Sequence, residues 1–313
     1  MRNRVCRKGN QIARLYHSEF QIPHSAFRCR GQTLIIVLWV MGLVSLAVGS
    51  LSLQSDHALR LARFPVESLQ RRALAQAAVQ QALVLMVRDD ATVDHLGEPW
   101  ATGQDGEQSA MDQVAVGDGL FRVGATDADG TFTAGLIDEE RKLDLRYASP
   151  QALQALVRHV GVEGSLTPEQ IAEAIVDWRD EAIGAWCDEQ QLGYACHNGL
   201  LDSVDELRLV PGITNELFSA LEPYVTVYGQ GAVNINTASA VVLDALGCSG
   251  EALVEARAGA TPPVLVPSAC PGTVGVSSAF TVPVEAWLSD ASSRTHLRAV
   301  IRRDGMILAW SPQ

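Results

Sequence analysis

Residues 30–63 read RGQTLIIVLWVMGLVSLAVGSLSLQSDHALRLAR, and the layout of the chain follows from them. No charge occurs from Thr33 to Leu53, and the first one afterwards is Asp56. A helix rises 1.5 Å per residue, so about 20 apolar residues cross the ~30 Å hydrocarbon core. The run reads as one membrane span over residues 32–54. Before it, Arg2, Arg4, Arg7, Lys8, Arg14, Arg28 and Arg30 are opposed by Glu19 alone. Basic flanks stay on the cytoplasmic side, so residues 1–31 form a cytoplasmic leader and the body lies across the membrane. Two plainer readings compete. A secretory signal peptide would have a shorter apolar run and a small-x-small site; only Ala47-Val48-Gly49 approaches one. An uncleaved anchor is the other.

The helical pattern continues past the span through Ala58, Leu59, Leu61, Ala62, Leu69, Ala73, Leu74, Ala77, Ala78, Ala82, Leu83 and Met86. Residues 55–88 therefore extend the same helix, with a kink expected at Pro65. Gly31 sits directly between the last arginine and the apolar run. A glycine there, behind a basic leader, resembles a prepilin peptidase site, and a membrane helix that continues as an amphipathic one resembles a pilin.

The net charge is −12, and with so basic a leader the body is more acidic still. That argues against broad binding to phosphate backbones, and no nucleic acid partner is expected. Cys6 and Cys29 belong to the leader. Cys187, Cys196, Cys248 and Cys270 belong to the body, where four cysteines allow three pairings. Sequence proximity favours Cys187–Cys196 and Cys248–Cys270. The absence of C-x-x-C disfavours a zinc ribbon or a thioredoxin-like site.

The body reads as α+β. Residues 89–118 are loop-like by composition. Gly119–Thr126 and Thr131–Asp138 flank the turn Asp127-Ala128-Asp129-Gly130 and predict a hairpin. Arg294–Arg302 and Met306–Trp310 predict a second, and Phe280–Trp287 one more strand. Between these ends lie helix starts. Ser149-Pro150 opens a helix ending at Gly161, and Thr167-Pro168-Glu169-Gln170 is a capping box with proline at the first helical position. Ser203-Val204-Asp205-Glu206 is another box, and Thr214 and Thr237 are further caps. This places a pilin-like α/β domain at 89–139 and 263–313, split by a helical insert at 140–262. Residues 248–279 read as a Pro/Gly/Ser-rich loop.

The order of four landmarks, together with the N-terminus, resembles the type II secretion minor pseudopilin K family. They are LIDEERKLDL (Leu136–Leu145), IVDWRDE (Ile175–Glu181), NGLLDSVDELRLVPGIT (Asn198–Thr214) and VNINTAS (Val233–Ser239). The resemblance implies a long pilin-like helix and a small antiparallel sheet, carrying an inserted all-α, SAM-like or helix-hairpin-helix-like domain. It implies cleavage after Gly31, methylation of Gln32, and a single-pass inner-membrane protein with a periplasmic body. Pilins have glutamate at the fifth mature position; here it is Ile36, as expected for the K subunit. The implied role is a non-enzymatic subunit at the pseudopilus tip, helping to start assembly and export of folded proteins. The implied partners are the minor pseudopilins I, J and H, and the prepilin peptidase.

Asp177, Asp180, Glu181, Asp188 and Glu189 form an acidic cluster. Asp177 and Glu181 are four apart on one helical face, where like charges repel. A hard cation relieves this, since calcium takes six to eight oxygen ligands. The resemblance implies calcium as the cofactor; the acidic cluster offers Asp177, Asp180, Glu181 and Asp188 as candidate ligands, with Asn198 and Asp202 as outer candidates. A solvated acidic surface is the alternative. Val210-Pro211-Gly212-Ile213 resembles a helix-hairpin-helix turn, which would bind phosphate through backbone N–H groups. The runner-up class is therefore a membrane-anchored periplasmic DNA-binding protein. Its acidic flanks, Asp202, Asp205, Glu206, Glu216 and Glu222, oppose that reading. No G-x-S-x-G or H-E-x-x-H motif supports catalysis, and His95, His159, His197 and His296 have no ligand-like spacing.

Overall fold

The computed structural model describes residues 32–313 except 107, 128, 162–163, 181–183, 188–191, 290–292 and 313, with the backbone alone at 32–33, 51–64 and 108. The chain divides into two compact units, Met1–Pro65 and Val66–Gln313. Helix α1, Gln32–Arg88, belongs to both and continues through Pro65. In the first unit the large apolar residues from Leu34 to Val48 are exposed. Among the described residues no helix is long and apolar enough to cross a membrane. The expected span of 32–54 runs into positions whose side chains are not described.

The second unit is built on one sheet. Its strands run in the order β13 (Ile307–Pro312), β12 (Arg294–Arg302), β11 (Ala279–Leu288), β4 (Gly119–Thr126) and β3 (Val114–Val116). β5 (Phe132–Ala134) pairs antiparallel with the end of β4, and β6 (Ile137–Asp138) pairs with β11. The strand expected at Phe280–Trp287 is thus the middle of the sheet. β11 is buried along most of its length because it has neighbours on both edges and α1 on one face. The α1 stripe is Leu74, Ala75, Ala78, Val79, Ala82, Leu85 and Met86, the 3–4 spacing of one helical face. Its alanines let the helix lie close to Phe121, Val123, Phe280, Val282 and Ala299. A Cβ at Gly119 would come within 2.3 Å of Leu74 Cδ1. Residues 89–118 are more ordered than a loop: a short helix α2 (Pro99–Thr102) buries Trp100, followed by the two-residue strands β1 (Gln104–Asp105) and β2 (Gln108–Ser109).

Between β6 and β11 lies the helical region, which forms two cores of its own. It is one unit built twice. Strand β7 (Leu143–Asp144) pairs in parallel with β8 (Val225–Thr226), and β9 (Val233–Asn234) pairs in parallel with β10 (Thr273–Val274). After β7 the Asp144 side chain accepts from the Arg146 N–H at 3.0 Å. After β9 the Asn234 side chain accepts from the Asn236 N–H at 2.9 Å. Ser149 then caps α3 (Pro150–Val160), and Ser239 caps the helix Ala240–Ala245. In each copy a second helix follows, α4 (Pro168–Arg179) and Gly250–Gly259. They carry Glu173-Ala-Ile-Val-Asp-Trp-Arg179 and Glu251-Ala-Leu-Val-Glu-Ala-Arg257. Both arginines reach back to the first turn. Arg179 Nη1 donates to the carbonyls of Leu145 and Ala148 at 2.7 and 2.8 Å, and Arg257 Nη1 to those of Ile235 and Ala238 at 2.8 and 3.0 Å.

Two expectations change. The last cap is Ser239, not Thr237, because the Thr237 hydroxyl is turned to Asp138. Residues 248–279 are not simply a loop: they hold the second arginine helix and β10, tied by the Cys248–Cys270 disulfide.

Candidate functional site

Two places concentrate polar chemistry. The first is the end of α4 and the loop after it. The Asp177 carboxylate accepts the Trp186 N–H at 3.0 Å. A Cβ on Gly184 would fall within 2.2 Å of that carboxylate, so the loop wraps tightly over it. Asp180 is exposed and lies 3.5 Å from Arg179 Nε. Glu181, Asp188 and Glu189 lie outside the described residues, as do Gly31 and the side chain of Gln32. The Cys187–Cys196 disulfide closes the loop. Beyond it the Asn198 N–H donates to the Trp178 carbonyl at 3.0 Å, returning the chain to α4. Asn198 Oδ1 is buried without a hydrogen-bond partner among the described residues. Next to this, His197 Nδ1 lies 2.9 Å from Glu206 Oε2, and ligand atoms of His197, Asp202 and Glu206 come within 4.8 Å of one another. Spacing along the chain hid this trio; the disulfide-closed loop creates it. Glu206 is also the reciprocal partner in the Ser203 capping box, a signal the sequence offered beside the candidate Asp202.

The second place is the joint between the sheet and the two helical copies. Asp138, Glu139 and Glu140 are consecutive and all buried. Asp138 Oδ2 accepts from Thr237, Ser277 and Asn234 at 2.5, 2.7 and 3.2 Å. Glu139 accepts from Lys142 Nζ at 2.7 Å, Thr226 at 2.5 Å and Thr281 at 2.6 Å. Glu140 accepts from the Ser278 hydroxyl and from the Ala279 N–H. Burial opposes ionisation of Glu139, but the Lys142 charge and its hydrogen bond prevail and hold its carboxyl below the ordinary range. Burial pushes Asp138 up to about 6 and Glu140 up to about 7, the latter with a push from Asp138. Asp94 is also raised by burial, although Ser277 and Arg303 oppose it. LIDEERKLDL and VNINTAS therefore meet in one buried polar joint.

The helix-hairpin-helix reading loses ground here. Gly212, at φ +86°, sits against Leu166, where a Cβ would be 2.3 Å from Cδ1. Arg208, the basic residue of that turn, stacks 3.6 Å over Phe218 and donates to Asn215. The turn packs helices rather than presenting N–H groups to a phosphate.

A family model described as type II secretion system (T2SS), protein K, matches residues 136–230. The type II secretion system protein K of Klebsiella pneumoniae is 30% identical over 248 residues, covering 74% of each chain. The chain belongs to the type II secretion system protein K family. The family member of Aeromonas hydrophila is 27% identical over 234 residues, 68% of each chain. The crystal structure of the GspK-GspI-GspJ complex from the enterotoxigenic Escherichia coli type 2 secretion system contains a chain of the same fold. The two superpose with a TM-score of 0.64 at 19% identity, over 80% of this chain and 99% of that one. The family match spans the first helical copy together with the three buried acids Asp138, Glu139 and Glu140.

Proposed function

We propose that this chain is the minor pseudopilin at the tip of the type II secretion pseudopilus, where it assembles with pseudopilins I, J and H. The observation that carries the reading is the doubled helical region. A pilin-like head of one helix and one sheet bears two further cores, which suits a subunit with nothing stacked above it. Ile36 supports the same position. A lone carboxylate in lipid is costly, and a tip subunit has no neighbour above whose terminal amine would need one. In this reading the prepilin peptidase cleaves after Gly31, Gln32 is methylated, and residues 32–54 hold the chain in the inner membrane until assembly. Co-purification of the full chain with pseudopilins I and J tests this. Both partners are expected in the complex, with the intact mass of a chain starting at methylated Gln32. Recovery of an unprocessed chain without either partner sinks the proposal.

We also propose that the α4 loop takes calcium through Asp177, Asp180, Glu181, Asp188 and Asn198. The buried Asn198 Oδ1, without a partner among the described residues, supports an oxygen-seeking cation there. A bound calcium would supply the charge that lets these carboxylates crowd one loop. Calcium at about a hundred times its Kd is expected to raise the melting temperature by roughly 5–10 °C over a chelator control. Equal melts with calcium and chelator would rule it out.

A further inference from the structure

Glu140, at the edge of the buried joint, lines a cavity between the helical region and the sheet. The cavity measures about 440 Å³, large enough for a ligand or a long side chain. Ala232, Val274 and Val276 give it an apolar wall on the helical side. Gln230 and Ser278 add polar groups, and Arg302, Arg303 and Asp304 close the sheet side. Glu140 itself is 3% exposed. Its carboxylate accepts the Ser278 hydroxyl and, at 3.2 Å, the Ala279 N–H. A carboxylate has about four acceptor positions, so Glu140 has acceptor capacity to spare. The cations of the neighbouring residues are taken: Lys142 bonds Glu139 and Arg146 bonds Asp144. A carboxylate buried without a countercharge is costly.

The two arginines of the wall do not supply that countercharge. Arg303 is held between Asp89 and Asp94, and Arg302 is bonded to Asp304. In and behind the wall, Glu140, Asp89, Asp94 and Asp304 thus outnumber two guanidinium groups, and the excess charge is negative. A cation complements this cavity and an anion does not.

We propose that the cavity receives a lysine side chain from a partner protein, with its stem along Ala232, Val274 and Val276 and its ammonium on Glu140. Lysine joins a flexible four-carbon stem to a compact charge, which matches an apolar wall ending at one carboxylate. The ammonium has three donors, and the side-chain oxygens of Gln230 and Ser278 line the same space as further acceptors. A free diamine fits less well. Its second ammonium would find Asp304, the other carboxylate of the wall, already bonded to Arg302.

Ligand-observed NMR on the full chain in neutral detergent tests this with three probes. They are Nα-acetyl-lysine methylamide, its uncharged norleucine counterpart and cadaverine. The lysine probe is expected to bind at least about 10-fold more tightly than the norleucine probe. Glu140→Gln keeps the shape and removes the charge, and should weaken the lysine probe at least about 10-fold. Val276→Trp fills the cavity from a wall residue that is 38% exposed. It should abolish binding while the melting temperature stays within a few degrees of wild type, and it decides the matter should Glu140→Gln fail to fold. The proposal is overturned by a lysine probe that does not bind wild type, by equal binding of the norleucine probe, by unchanged affinity in either folded variant, or by binding of cadaverine alone.

Discussion

Arg257→Ala is expected to destabilise the second unit by about 2–4 kcal/mol, measured by chemical denaturation of the full chain. Arg257 is 8% exposed, and its hydrogen-bond acceptors are the carbonyls of Ile235 and Ala238. Without it both carbonyls are buried with one partner fewer. Each lost bond from a charged donor is worth about 1.5–3 kcal/mol. Relief of a buried charge works the other way, since burial and the nearby Arg141 already lower the Arg257 pKa. Two bonds outweigh that relief, so the net sign is destabilising. Arg179→Ala should behave alike, because Arg179 makes the same two bonds in the first copy. A loss below about 1 kcal/mol in both variants would mean that the arginines do not pin the turns.

Asp138→Ala should be more damaging, by about 3–5 kcal/mol. The carboxylate is 1% exposed and accepts from Asn234, Thr237, Ser277 and the Glu140 N–H. Alanine leaves four buried donors short of a partner and a small void among them. Asp138→Asn keeps the shape and one acceptor, so about half the loss is expected. Because burial raises the Asp138 pKa, with Asp94 adding a push, the ionised form is itself held at a disadvantage. The Asp138→Asn deficit should therefore shrink as the pH rises from the ordinary carboxylate range towards about 6 and beyond. A deficit that grows with pH would contradict the assignment.

Local signals survive folding where the partner is a few residues away. Ser149, Thr167, Ser203 and Thr214 cap the helices that their spacing announces. The hairpin β12–β13 follows its Asp304-Gly305 turn, with Gly305 at φ +91°. Cys187–Cys196 and Cys248–Cys270 are bonded as neighbours in sequence. The duplication was also legible, since YAS and TAS each precede a capped helix and EAIVDWR has its counterpart in EALVEAR. The copies nevertheless diverge in their most distinctive residues, Trp178 against Ala256 and Asp144 against Asn234, which masks the repeat along the chain.

The sequence by itself determined the long N-terminal helix, the basic character of residues 1–31, most of the local caps and hairpins, and the family landmarks in their order. Those follow from periodicity and from contacts within one turn of chain. Only the tertiary structure decided what the landmarks do. Asp138 meets Thr237 and Ser277 from far along the chain, and Thr237 gives up its capping position to reach it. A buried carboxylate must find donors wherever the fold supplies them, and no spacing in the sequence records which distant hydroxyls those will be.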